Sequence, residues 1–418
     1  MRKLFLSLFA MMFIATGLVV AGCGDDDDNS SSSSSTATQT DGGTADAALG
    51  TESGAAELRA TLTSTLDEHV YLAAIAIGQG LGNGLDSGEF KAAAATLDKN
   101  SVALSDAIGS VYGEDAGKAF LPLWRKHIGF FVDYAKAKAT KDDAAAEKAA
   151  KDLDGYRTDF GAFLNGANPN LPTEAVAEEL KPHVESVFAV VRAAATGSPK
   201  VYERIVEAAS HMPNTANVLA GGIVKQFPDK FSGATDAGAS ELRALLTDQL
   251  VGHEYLAGIA IVTGVTEGLD SGAFKAAAEA LDTNSVALSE SIGSVYGDDA
   301  AKAFLPLWRK HIGFFVDYTK AKAEKDDAAA EKAAEELDGY RTDFGAFLEG
   351  ANPNLPADAV AEALKPHVEA TFAAIDSVVA GDGKAFDLLQ TAASHMPMIA
   401  NTLAGGIAKQ FPDKFPAS

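Results

Sequence analysis

One stretch of this chain is written twice. Glu57–Phe231 aligns with Glu241–Phe415 without a gap, and most positions are identical. The fold must therefore accommodate two copies of one unit, each long enough to bury an apolar interior. Ser232–Ser240 (SGATDAGAS) joins them. Identity between recent copies carries little information. It carries more where the copies have drifted, at residues 67–86 and 187–216. His69 and the run Ala208-Ala209-Ser210-His211-Met212-Pro213 persist there.

Alanine is abundant, apolar residues recur at three and four, and strand-like alternation is absent. The pattern predicts six helices per copy, at about 55–80, 88–111, 115–139, 142–165, 173–195 and 199–226 in the first. Gly82-Asn83-Gly84, Gly113-Glu114-Asp115, Asn168-Pro169-Asn170 and Gly197-Ser198-Pro199 supply the breaks. The expected fold is all-α: two tandem six-helix up-and-down bundles, each of three αα-hairpins. Domain 1 would span 55–231, a linker 232–240 and domain 2 241–418.

The start of the chain reads as an address. Arg2 and Lys3 precede the apolar run Leu4–Val20, and Val20-Ala21-Gly22-Cys23 resembles a bacterial lipobox. Residues 1–22 are then a lipoprotein signal peptide, and Cys23, the only cysteine, is the lipidation site. Two or more acyl chains anchor a protein stably where one is marginal. Residues 23–54 are acidic, Ser-rich and poor in large apolar side chains, so they read as a disordered tether. The expected location is the cell envelope, outside the cytoplasm, with the membrane as partner through the lipid. A formal net charge of −24 argues against nucleic acid. With one cysteine there is neither a disulfide nor a thiolate metal set. No motif names a protein partner.

The eight histidines repeat on one lattice: His69, His127, His183 and His211, then His253, His311, His367 and His395. Around His127, the residues three, four and seven away include Phe120, Trp124, Phe131 and Tyr134, a core face. His69 and His183 lie among aliphatic residues, and His211 has mixed neighbours. The midpoints of His69/Asp98, His127/Asp154 and His183/His211 fall in expected turns, as do those of His253/Asp282, His311/Asp338 and His367/His395. Residues equidistant from a hairpin turn share one height. Each hairpin would thus carry a His and a partner at one level. The aspartates follow Leu97 and Leu153, which look like the core positions, and so sit about 100° round the helix. Pro182 and Pro213 read as interior prolines that free a carbonyl near the site, whereas Pro122 suits a helix start.

Neutral imidazoles, with up to two carboxylates, suit copper, zinc or iron. Helical bundles build metal sites from inward side chains on facing helices. Met212 and Met396, beside His211 and His395, hint at copper(I). Haem with two axial imidazoles is a further option. Two other readings stand beside metal binding: a structural or interaction module of the envelope with the histidines as buried pins, and a metal-dependent redox enzyme. Glu-x-x-His, His-Glu-x-x-His, Gly-x-Ser-x-Gly, the P-loop and the dinucleotide-binding glycine pattern are all missing, which weighs against catalysis.

FLPLWRKHIGFFVDY, DFGAFLxxANPNLP and ASHMP…LAGGIxKQFPDKF resemble a helical repeat of secreted and lipid-anchored bacterial proteins labelled "copper amine oxidase-like". The resemblance covers both copies and implies copper. It does not carry amine oxidation over. Copper amine oxidases use an Asn-Tyr quinone context and a His-x-His copper pair, and this chain has neither.

Overall fold

The computed structural model describes residues 50–417. The expected signal segment, Cys23 and most of the tether lie outside the described residues. Every described regular element is an α-helix. In the first copy these are α1 (Gly54–Asn83), α2 (Gly88–Tyr112), α3 (Glu114–Thr140), α4 (Asp143–Ala167), α5 (Thr173–Ala195), α6 (Val201–Ala209) and α7 (Met212–Gln226). In the second they are α8 (Gly238–Glu267), α9 (Gly272–Tyr296), α10 (Asp298–Glu324), α11 (Asp327–Ala351), α12 (Ala357–Ala380), α13 (Ala385–Ala393) and α14 (Met396–Gln410). They pack as a bundle. No described helix is long and apolar enough to cross a membrane.

The ends of the helices follow from local chemistry. The side chains of Ser53, Ser87 and Asp142 accept hydrogen bonds from the amides of Ala56, Phe90 and Ala145. Each cap satisfies one orphan donor and contributes about 1 kcal/mol. Gly84 and Gly113 stop α1 and α2 at φ 95° and 98°, a region that side chains disfavour.

Two expectations about proline are corrected. The sixth expected helix is broken at Ser210–His211, and its counterpart at Ser394–His395. Proline has no N–H and clashes with the carbonyl four residues back, which costs a continuous helix about 3 kcal/mol, and at Pro213 the helix ends and restarts instead. In the first turn of a new helix it costs nothing, and there it sits. Pro122 is instead inside α3, and Pro182 is inside α5.

The two copies meet along α1 and α8, which run side by side in the same direction. Arg59 lies 3.9 Å from Glu241, and the equivalent pair, Arg243 and Glu57, forms an ion pair. Further along, the equivalent rings of Tyr71 and Tyr255 stack at 5.4 Å and 7°. α13 closes over α2, where Thr96 and Lys99 both hold Asp387, at 2.7 and 2.6 Å. One apolar cluster runs through both copies, so the halves do not keep separate cores. The expected linker is shortened, since α8 already begins at Gly238. Residues 50–53, expected in the tether, are also held: Gly50 and Thr51 are buried, and Arg243 donates to the Thr51 carbonyl at 2.7 Å.

Close helix approach depends on missing side chains. A Cβ at Gly161 would run into the backbone oxygen of Thr173, whereas one at Gly155 would meet nothing. Gly161→Ala is expected to cost about 1–3 kcal/mol. Gly155→Ala, on the same helix, is expected to stabilise by roughly 0.5–1 kcal/mol. Urea denaturation of the two variants measures the difference. Equal effects would contradict the α4–α5 packing.

Candidate functional site

Three helices per copy each send one histidine to a common interior point. α1, α3 and α5 supply His69, His127 and His183; α8, α10 and α12 supply His253, His311 and His367. All six are buried. On α3, residues 120, 124, 127, 131 and 134 recur at three and four and bury that stripe, which aims His127 inward. The Nε2 atoms of His69 and His127 are 3.3 Å apart, and those of His253 and His311 are 3.2 Å apart. The His183 ring lies 6.3 Å from that of His69, centre to centre.

Aromatic rings wall this point. Trp124 is 4.8 Å from His69 and 4.5 Å from His127, and Tyr156 is 5.0 Å from His127. Trp308 and Tyr340 repeat the arrangement around His253 and His311. Nδ1 of each of these four histidines has no hydrogen-bond partner among the described residues. His127 Nδ1 faces the Trp124 carbonyl one turn back without reaching hydrogen-bond geometry.

Burial, and then the neighbouring imidazoles, push these histidines toward the neutral form. His127 and His311 fall to about 3 and His183 to about 4, from an ordinary 6.5. His69 and His253 lie well below the ordinary value for the same reasons. Neutral imidazole is the form that binds metal. An apolar cavity of about 40 Å³ lies beside His69 and His183, and one of about 30 Å³ is bounded by His253, His311, His367 and Met396.

The other expected site residues stand apart. His211 and His395 occupy the helix breaks, half-buried at the edge of the layer. His211 lines an outer groove with Glu185, Arg204 and Glu207, close enough to His183 to help depress its pKa. The four aspartates leave the layer altogether. Asp98 is clamped by both ends of Arg125 at 2.6 and 2.7 Å, and Asp282 by Arg309 at 2.6 and 2.8 Å. Asp154 binds Arg157 at 2.5 Å, and Asp338 binds Arg341. The core positions are Leu97 and Leu153, and the next residue round the helix faces water. Histidines therefore pair between hairpins rather than within them. Among the described residues, no group of three or more His, Cys, Asp or Glu side chains stands ready arranged around an ion.

Sequence reasoning missed the buried acids. Glu254 Oε2 lies 3.2 Å from His367 Nδ1, with Thr371 bonded to its other oxygen at 3.3 Å. Asp67 is buried in the α1–α8 seam, with neither carboxylate oxygen partnered among the described residues. Nearby, burial pushes Asp248 up to about 7. Glu68 is held by Asn100 at 2.9 Å and Gln390 at 2.7 Å. The available signal was substitution between the copies: Val70 stands opposite Glu254, and Val251 opposite Asp67. No protein-family model, curated protein or solved structure matches the chain.

Proposed function

We propose that the protein holds metal ions outside the cytoplasm, anchored to a membrane by lipid on Cys23. Each copy, built of three helical hairpins, would offer one site centred on His69/His127 or His253/His311. The supporting observation is the Nε2–Nε2 separation of 3.3 and 3.2 Å, repeated in both copies. Two nitrogens bound tetrahedrally at roughly 2.0–2.1 Å from one zinc ion stand about 3.3–3.4 Å apart. His183 or His367 is the nearest further imidazole, and water can complete the shell. The small cavities suit an ion and leave no slot for a porphyrin. The rings are buried, which favours storage or buffering over turnover of an amine that must reach the metal.

A second reading has its own support, because the same separation fits one imidazole–imidazole hydrogen bond. On that reading the layer is a structural pin. The Nδ1 atoms lack a partner on either reading, so they do not separate the two. The experiment is a melting curve of untagged protein with and without chelator. Saturation at 100 times Kd adds about 2.7 kcal/mol to a folded state. The melting temperature of the wild type is expected to fall on chelation and rise with zinc or copper. A His127→Ala/His311→Ala variant should respond to neither. A wild type indifferent to chelator, zinc, copper and iron leaves the pin.

A further inference from the structure

The two histidine clusters are not chemically equal. In the first copy, Val187 lines the cavity beside His183, and Val70, on α1 next to His69, is buried with it. In the second copy the same positions are Glu254 and Thr371, also buried. Both positions differ between the copies. Thr371 Oγ1 lies 3.3 Å from Glu254 Oε1 and 3.5 Å from His367 Nδ1, while Glu254 Oε2 lies 3.2 Å from that same nitrogen. His183 Nδ1, the counterpart of His367 Nδ1, has no partner among the described residues. Two voids flank His253 and His367. One is lined by Glu254 and Thr371, the other by His311 and Met396.

We infer that the second copy is the tight site for a divalent cation, with Glu254 as its charge-compensating carboxylate, and that the first copy is the weak one. This rests on the metal reading above. A carboxyl group with 1% of its surface exposed either keeps its proton or sits against positive charge. A divalent ion on His253 and His311 supplies it, and the ion and Glu254 together leave a net charge of +1. The same ion on His69 and His127 would bring +2 into a box of neutral rings and valines. Desolvation opposes that state more strongly, because an uncompensated charge in an apolar interior is costly. Glu254 either enters the coordination shell or turns His367 toward it through Nδ1. Carboxylate–imidazole–metal relays of that second kind raise ligand basicity and affinity. Thr371 Oγ1 lies 3.3 Å from the other carboxylate oxygen and 2.8 Å from the His367 carbonyl, and its one proton goes to either.

The test is a Zn²⁺ titration of the full chain against a chromophoric competitor. The wild type is expected to bind two ions in two steps, with Kd values at least tenfold apart. Glu254→Val/Thr371→Val gives the second copy the residues that the first already accommodates, so it should fold. It is expected to lose the tight step and show two weak ones. The reverse exchange, Val70→Glu/Val187→Thr, is expected to create a second tight step. Two indistinguishable steps in the wild type, or a tight step that survives Glu254→Val/Thr371→Val, overturn the inference and leave the metal reading standing. Absence of any zinc binding overturns the inference, and absence of copper and iron binding as well overturns the metal reading.

Discussion

Acidification from pH 7 to pH 4.5 is expected to strip the metal-free protein of several kcal/mol of stability. His127 and His311, held to about 3, and His183, held to about 4, stay neutral in the fold while they charge in the unfolded chain. His69 and His253 behave alike. The unfolded state then binds more protons, so this contribution is complete above pH 6.5 and is lost as pH falls toward the folded values. Each group contributes up to about 1.4 kcal/mol per pH unit across that window. The raised acids Asp67 and Asp248 have the opposite sign. Burial raises both above the ordinary carboxyl range, and the contribution of Asp248 is lost as pH rises through about 7. The lowered imidazoles, His395 among them, outnumber the raised acids Asp67, Asp248 and Glu68, so the urea midpoint should peak near neutrality and drop steeply on the acid side. His127→Phe/His311→Phe should flatten that drop. A midpoint that stays level between pH 7 and pH 4.5 would contradict the placement of these rings.

Replacing Asp67 by valine is expected to stabilise the protein at pH 8. Both carboxylate oxygens lie in the seam without a partner among the described residues, beside the acid Asp248. The second copy carries Val251 at the equivalent place, buried and without strain in the backbone. Removing an unsatisfied buried polar group is worth about 1–3 kcal/mol. The gain should shrink as pH falls, because burial raises the Asp67 pKa and protonation removes the charge that opposes burial. Paired urea melts of wild type and variant at pH 8 and pH 5 measure both effects. Destabilisation at pH 8 would show that Asp67 makes a contact that the seam geometry does not contain.

The helices and most of their ends were legible because periodicity and capping are local. Ser87, Gly113 and the Asn168-Pro169-Asn170 turn act within a few residues, and the chain spells them out. The break at His211 was harder. Pro213 reads the same in one dimension whether it kinks a helix or begins one. The inward aim of His69, His127 and His183 was also legible, since their neighbours at three and four are apolar. What they meet was not. Spacing about a turn suggested Asp98 and Asp154, but one further step round the helix, about 100°, sent those carboxylates to Arg125 and Arg157. The seam left a fainter trace. α1 and α8 are buried on several sides, so their sequences lack a polar stripe to mark which face meets which neighbour. Glu254 has no partner within its own helix, and only the fold sets it against His367 on α12.

The stacking of Tyr71 on Tyr255 bears on how such a chain could arise. A polypeptide carrying the segment once would leave that ring, and the apolar flank of its first helix, open to water. An identical molecule presents the complementary surface, so the natural remedy is a homodimer about a two-fold axis. Dimers of that kind come apart on dilution, and their stability is inseparable from concentration. Fusing the genes end to end makes the encounter intramolecular, at an effective concentration near the millimolar range for a short connection. It also frees each half to mutate alone, which no symmetric pair of identical chains can do.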